Sequence, residues 1–348
     1  MRKTVAIIFG GEGKERDVST VSARTLSTFI DKSLYAPLLV FIAPSGEWYI
    51  LPDTPSAEAD VSLASATPTF PVRLGGKSGL HTPSGIAQID LAVIALHGDF
   101  GEDGVIQGLL TAANIPYIGQ SVYASAMTAD KSYTKLVAER LGIPTAEWIL
   151  LNGESVETAV LLAEKELAYP VFVKPTRLGS SIGASPAHSK EELILAYNRA
   201  KELDCGPILI EKLRSVKYEV ECAYLNIEGK PHLRCGVLCS DGSFYDFGAK
   251  YKGHASPSVL EAENLPSDLI SLVENYSILL IDFLGLKSLS RIDFFVDVNN
   301  CVLFNEINTI PGMTPTSLYP KLTEQMGLKK GEFINLLIKE AITNDRHI

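Results

Sequence analysis

The chain contains no apolar run approaching the ~20 residues that would cross a bilayer, no internal repeat and no low-complexity tract. A membrane-spanning helix and a repeat array are therefore not expected. Basic charge is also short: 31 Lys and Arg stand against 41 Asp and Glu, a formal net charge of −10. That balance argues against a general nucleic-acid surface. It leaves room for a small phosphate-bearing ligand, because local cations and a metal offset the global sign. Cysteine is scarce and odd in number, five residues (Cys205, Cys222, Cys235, Cys239, Cys301) scattered through apolar segments. Reduced, buried thiols in a cytoplasmic protein are expected. Cys235 and Cys239 lie four apart, but no second pair or histidine cluster completes a zinc site. Two glycine motifs are missing as well. G-x-x-x-x-G-K-[ST] is absent, and "GGEGKE" after the first apolar run is not G-x-G-x-x-G, so a P-loop and a Rossmann dehydrogenase are both excluded.

What remains is a globular composition, 46% hydrophobic and 21% charged over 348 residues, enough for two or three domains. The start, "MRKTVAIIFGGEGKE", reads as a first β-strand and its loop and not as a signal peptide. Strands at 4–10 and 91–96, each followed by a helix (18–30 and 104–113), predict an α/β section with parallel strands. Residues 52–90, rich in Pro, Ser, Gly and Thr, read as loops with irregular strands. A block with strands at "EWILL" and 171–174 and three helices runs to about Pro207. From "ILIEKL" onward come further strands, a helix at 266–284 and a closing helix near 330–342. The expected division is 1–122, 123–207 and 208–348.

"RIDFFVDVNNCVLFNEIN" (291–308) predicts a β-hairpin turning at Asn299-Asn300. Val298 then opposes Cys301, Asp293 opposes Glu306 and Arg291 opposes Asn308, with all four of the latter on one face. Two carboxylates directly opposed destabilise a sheet, and a bound cation reverses that sign. Asp, Glu and Asn offer hard oxygen, which suits Mg²⁺ or Mn²⁺; a solvated polar face is the alternative. In "VFVKPTRLGSSIGAS" (171–185), Lys174 ends a buried strand beside a Gly/Ser loop of the kind that binds anions. Its glycines are expected to supply the loop's backbone freedom. Lys131 and Lys250, Pro311-Gly312, Glu15 in "KERDVS" and His97 in "LHG" each have an ordinary structural reading when taken singly: solvated lysines, a turn, a helix N-terminal turn and a strand-end histidine.

Taken together, these residues resemble the ATP-grasp ligases, and among them the D-alanine–D-alanine ligases. The resemblance runs through "FGGEGKERDVS" (9–19), "ALHGDFGEDGVIQG" (95–108), "ASAMTADKSYTK" (124–135), "VKPTRLGSSIG" (173–183), "LIEKL" (209–213), "FYDFGAKY" (244–251), "SRIDFF" (290–295) and "FNEINTIPGMTPTSL" (304–318). One departure is "GEGKE" at 11–15, where the family often carries a hydroxyl residue between glycines and glutamate. The resemblance implies an α/β fold: a Rossmann-like N-terminal domain followed by a two-subdomain ATP-grasp unit of α+β character, with ATP between two sheets. It implies ATP-dependent joining of two D-alanines for peptidoglycan precursors through a D-alanyl phosphate, in a cytoplasmic homodimer with no membrane or nucleic-acid partner.

Carried over by motif, Lys131 and Lys174 contact ATP phosphates, with Ser181 in the loop above them. Glu211 accepts from the adenine amino group, backbone at Lys212 and Leu213 completes that edge, and Glu219 binds the ribose. Asp293, Glu306 and Asn308 hold two Mg²⁺ (or Mn²⁺) ions. Glu15, with Val18 and His97, binds the first D-alanine. Arg291 and the Gly312 amide stabilise the oxyanion, and Ser317 and Leu318 bound the second D-alanine. Lys250 and Tyr251 belong to a lid, where Tyr251, Ser180 and Glu15 form a hydrogen-bonded triad. A D-Ala-D-Ser or D-Ala-D-lactate ligase of the vancomycin-resistance type is the nearest competitor. Apolar Leu318 and the presence of Tyr251 favour the dipeptide of D-alanine. A non-catalytic nucleotide sensor on the same scaffold would be expected to have lost lysines or metal ligands, and none is lost.

Overall fold

The computed structural model describes residues 2–52, 63–203, 206–238, 259–261 and 265–344. Its first strand shows how the sequence drives the fold. β1 (Lys3–Gly10) carries "VAIIF" with every side chain fully buried, as a strand covered on both faces must be. It pairs in parallel with β2 (Tyr35–Ile42) and β7 (Leu91–Ile94), and β7 with β8 (Tyr117–Ile118). Four more strands extend the sheet in antiparallel fashion, giving the order β6-β5-β4-β3-β2-β1-β7-β8. These are β3 (Trp48–Leu51), β4 (Thr67–Leu74), β5 (Lys77–Thr82) and β6 (Gly85–Ala87).

The stretch read from composition as loops with irregular strands is thus partly regular sheet. Gly75-Gly76, with φ of 58° and 78°, make the two-residue turn that joins β4 to β5. Both central residues of such a turn need positive φ, which glycine adopts without strain.

Helix α1 (Arg16–Phe29) packs on one face of this sheet and α2 (Val105–Ala112) on the other. The first face is completed from the far end of the chain. There α9 (Glu332–Asn344) contributes Phe333, Ile334, Leu337, Ile338 and Ala341, all essentially without solvent contact. Burial of each larger side chain stabilises by ~1.5–3 kcal/mol, so α9 fixes the last segment of the chain against the first.

A second, wholly antiparallel sheet has the order β11-β10-β12-β9. It comprises β9 (Trp148–Leu151), β10 (Val171–Pro175), β11 (Ser185–Ala187) and β12 (Ile208–Lys212), backed by α5 (Val156–Glu166) and α6 (Lys190–Leu203). β12, just beyond residue 207, lies between β10 and β9. The third sheet, order β15-β14-β13-β16-β17, comprises β13 (Val216–Ile227), β14 (Lys230–Leu238), β15 (Val259–Glu261), β16 (Leu289–Asp297) and β17 (Val302–Asn308). Its apolar face is covered by α3 (Val122–Ala129), α4 (Lys131–Arg140) and α7 (Ser267–Leu284). α8 (Leu318–Gln325) lies across β13 and β14. Among the described residues no helix is long and apolar enough to cross a membrane.

The β16–β17 hairpin differs in its turn from the one expected. Its loop is three residues long, 298–300, closed by Asp297 N–H donating to the Cys301 carbonyl, with Asn300 left-handed at φ 62°. Val298 and Cys301 are not paired. The near end therefore runs one residue out of the expected register, with Phe294 opposite Phe304. A bulge at Asn305 adds a residue to β17 and restores it, so that Asp293 does oppose Glu306 and Arg291 opposes Asn308.

Candidate active site

The second and third sheets face one another across an inner cavity of about 180 Å³. Phe172, Lys174 and Glu211 line it from one sheet, and Glu219, Asp293 and Glu306 from the other. Beyond Glu306 and the 178–180 loop it meets a larger cleft of about 900 Å³. That cleft is lined by Glu15, Val18, His97, Arg291, Asn308, Gly312, Ser317 and Leu318. Every described residue assigned to the site by motif thus lies on or beside one of two adjoining cavities. Lys250 and Tyr251 lie outside the described residues.

Between the cavities stands a compact charged cluster. Arg291 Nε and Nη2 donate to the two carboxylate oxygens of Asp293 at 2.8 and 2.7 Å, and Nε lies 3.4 Å from Glu221 Oε2. Asn308 Nδ2 donates to Asp293 Oδ2 at 3.0 Å. Glu306 Oε2 is 3.2 Å from Lys131 Nζ, which donates to the Leu178 carbonyl at 2.9 Å. Asp293 and Glu221 hold the Arg291 guanidinium firmly protonated despite its burial. Among the described residues no group of three or more His, Cys, Asp or Glu side chains is arranged to hold a metal. The pair Asp293–Glu306 with the Asn308 amide supplies two carboxylates and one carbonyl oxygen on a single sheet face. That donor set suits a hard divalent ion that takes its remaining ligands from phosphate and water.

The inner cavity is built around Glu211. This carboxylate is buried, 2.7 Å from Lys135 Nζ and 2.9 Å from Lys174 Nζ. Burial alone would raise its pKa, but the two ammonium groups outweigh it and hold the carboxyl at about 2. Lys174 donates to Asn305 Oδ1 at 3.1 Å, and burial pushes its own pKa down. The amides of Lys212 and Leu213 donate to the Glu147 and Pro170 carbonyls. Both N–H groups are thus committed inside the fold.

In the larger cleft, Glu15 sits at the N-cap position of α1 and accepts a hydrogen bond from Ser180 Oγ. This is one of the two contacts in the expected triad. The backbone crowds closely around the carboxylate. A Cβ on Gly98 would fall 2.3 Å from Glu15 Oε2 and one on Gly179 3.3 Å away. Burial, and then the Glu102 charge, push the Glu15 pKa up, opposed by the Ser180 hydroxyl, His97 and Lys131. His97 is held by Ser22 Oγ at 2.9 Å from Nε2, with Glu102 Oε1 3.8 Å from Nδ1.

The Gly/Ser loop is shaped differently from expectation. Ser180 and Ser181, at φ 52° and 58°, take the left-handed conformation together with Gly183, whereas Gly179 does not. Gly179 is needed for its lack of bulk beside Glu15. Two L-residues in a sparsely populated region require local contacts to keep them there, and the Ser180–Glu15 hydrogen bond is one. At the other wall, Ser317 Oγ accepts from the Thr314 amide at 3.1 Å, and a Cβ on Gly312 would come within 2.8 Å of it.

Sequence reasoning passed over three residues of this arrangement. Asn305 reaches the inner cavity only because the bulge turns it there beside Glu306. Lys135 is 1% exposed on a helix whose Tyr133 and Leu136 are more than half exposed, the reverse of their polarity. The Lys131–Lys135 spacing of four, which places both on one helix face, was the available signal. Glu102 reveals itself only by folding back on Gly98 N–H and His97.

Family profiles match in two blocks, residues 4–120 as "D-ala D-ala ligase N-terminus" and 137–339 as "D-ala D-ala ligase C-terminus". A D-alanine–D-alanine ligase of Ruminiclostridium cellulolyticum is 37% identical, covering 98% of this chain and 95% of that protein. Among solved structures, D-alanyl-alanine synthetase A of Vibrio cholerae superposes with a TM-score of 0.85 at 27% identity, covering 99% of both chains. The VanG D-Ala:D-Ser ligase of Enterococcus faecalis superposes at 0.84 and 28% identity, covering 97% of this chain and 99% of that one. With nearly the whole length matched by profile, relative and fold alike, the chain belongs to the D-alanine–D-alanine ligase family.

Proposed function

We propose that the protein joins two D-alanines into D-alanyl-D-alanine, converting ATP to ADP and phosphate through a D-alanyl phosphate. The observation that supports this most is the facing pair Asp293–Glu306, set with Arg291 and Asn308 at the junction of two cavities. The inner cavity offers a fixed acceptor in Glu211 for an adenine amino group, with Glu219 across from it for the ribose. Lys131 and Lys174 neutralise the phosphates, and Ser181 lies in the loop above them. Asp293, Glu306 and Asn308 would hold two divalent ions, Mg²⁺ or Mn²⁺, which would supply positive charge against the phosphates during phosphoryl transfer.

In the cleft, Glu15 binds the first D-alanine by its ammonium, with Val18 and His97 at its sides. A carboxylate oxygen of that D-alanine attacks the γ-phosphorus, and ADP leaves. The amine of the second D-alanine, bounded by Ser317 and Leu318, then attacks the acyl carbon, and its proton passes to the departing phosphate. The C–N bond forms, the C–O bond to phosphate breaks, and inorganic phosphate leaves. Asp293 occupies Nε and Nη2 of Arg291. Nη1 is left to meet the oxyanion with the Gly312 amide. Lys250 and Tyr251 would close the site, since an acyl phosphate must be kept from water. The three parts 1–122, 123–207 and 208–348 are proposed as functional units, although β12 (Ile208–Lys212), which carries Glu211 at the start of the third, pairs with β10 and β9 of the second.

The test is phosphate release with ATP and Mg²⁺ on D-alanine alone, D-alanine with D-serine, and D-alanine with D-lactate. D-alanine alone is expected to support full turnover, and apolar Leu318 to disfavour the other two. No D-alanine-dependent release would overturn the ligase reading. Strong preference for a mixed pair would overturn only the acceptor.

A further inference from the structure

We propose that Lys135 is the residue that makes the nucleotide site select adenine over a 6-oxo purine. It acts through Glu211 and touches no substrate, so it is a positioning residue. This rests on the reading of Glu211 as the acceptor for the base amino group.

Glu211 sits between two ammonium groups of different standing. Lys174 lines the inner cavity beside Glu211 and shares its charge with Asn305. Lys135 lies behind Glu211, 1% exposed, on α4 and not among the residues lining either cavity. The two lysines are equivalent only while the site is empty of nucleotide. A bound nucleotide presents phosphate to Lys174, a stronger anionic partner than one carboxylate, and draws its charge away from Glu211. Lys135 then remains as the cation facing a buried carboxylate.

A buried carboxylate deprived of its counter-charge takes up a proton. The consequence for recognition is specific. An ionised carboxylate only accepts hydrogen bonds; a protonated one also donates. The 6-amino group of adenine donates and is met by the ionised form. The 6-oxo group of hypoxanthine accepts and is met by the protonated form. Glu211 Oε1 faces Lys135 Nζ at 2.7 Å away from the cavity, and Oε2 faces the cavity-lining Lys174 Nζ at 2.9 Å. Once Lys174 turns to phosphate, Oε2 can accept from a donor on the base while Lys135 keeps the charge compensated through Oε1. By holding Glu211 ionised in the nucleotide-bound state, Lys135 turns the carboxylate into a one-way acceptor.

The experiment compares ATP with inosine triphosphate by kcat/KM in the holoenzyme with Mg²⁺ and D-alanine. Four proteins are used: wild type, Lys135→Met, Glu211→Gln and the double variant. Wild type is expected to favour ATP by ~10³-fold or more, since a buried acceptor left facing another acceptor is strongly rejected. Lys135→Met is expected to lower that ratio by about tenfold or more, with loss of ATP activity and gain, or smaller loss, of inosine triphosphate activity. Glu211→Gln, whose amide both donates and accepts, is expected to bring the ratio close to one. In that background Lys135→Met should change the ratio no further.

Equal losses on both nucleotides in Lys135→Met, with the ratio kept, would overturn the proposal and leave Lys135 a packing cation. A wild type indifferent to the base would instead overturn the reading of Glu211. If Lys135→Met does not fold, Lys135→Gln is measured in its place. It keeps the side chain polar but removes the charge, and retention of the wild-type ratio there would equally overturn the proposal.

Discussion

Glu306→Gln is expected to abolish turnover, by ~10³-fold or more, while leaving the fold intact. The substitution keeps size and hydrogen-bonding capacity and removes one charge. Glu306 stands opposite Asp293 and 3.2 Å from Lys131. For stability alone, the change trades the loss of the Lys131 attraction against relief of two facing carboxylates. Each is worth a few tenths to about 1 kcal/mol, and they oppose one another. The melting midpoint should therefore move little. Turnover responds differently, because the second carboxylate is what makes this sheet face attractive to a divalent cation. Steady-state phosphate release and thermal unfolding, measured on the same preparation, check both halves. Near-normal rates would remove Glu306 from the metal-binding set.

Arg291→Met should damage stability and turnover together. Arg291 is bidentate to Asp293 and close to Glu221, and all three side chains are largely shielded, at 17%, 13% and 10% exposure. Removing the guanidinium leaves two carboxylates without their cation, which costs ~3–5 kcal/mol when a buried pair is broken from one side. For a chain of this size the melting midpoint should fall by on the order of 10 °C. Lysine is no substitute, because it lacks the planar fork that matches both Asp293 oxygens. Adding Asp293→Asn to Arg291→Met removes one of the stranded charges and should recover part of the stability. It should recover none of the turnover, since it also removes a proposed metal ligand. A stable, inactive Arg291→Met would show that the ion-pair cluster serves chemistry only. A destabilised but active one would show that Arg291 does not meet the oxyanion.

Much of this arrangement is legible in sequence, for reasons particular residues make plain. Strands β1 and β7 announce themselves as short apolar runs, and Lys174 stands out because a charge follows "VFV". Strand alternation predicts the opposition of Asp293 and Glu306, though from a turn that the structure lacks. A two-residue turn was expected; the loop has three residues, and the bulge at Asn305 compensates the shift. The bulge leaves its mark in two consecutive polar residues, Asn305 and Glu306, which shift the core-facing positions from Val302 and Phe304 to Ile307, a break that strict alternation passes over. Lys135 was hidden for the opposite reason. Periodicity assigns lysine to solvent and Tyr133 and Leu136 to the core, and only the charge of Glu211 on a different sheet reverses that. The left-handed Ser180 and Ser181 were equally out of reach, since glycine was present nearby to take that conformation. The roles of Lys250 and Tyr251 rest on the family resemblance, as both fall outside the described residues.

The route through an acyl phosphate is the centre of the proposed chemistry, and it leaves an isotopic trace. D-alanine labelled with ¹⁸O in its carboxylate passes one labelled oxygen to the phosphorus when it is phosphorylated. That oxygen departs with phosphate when the amine displaces it. Mass analysis of the inorganic phosphate should find one ¹⁸O for each dipeptide formed from fully labelled substrate. Phosphate released without label, in step with dipeptide formation, would contradict the mechanism.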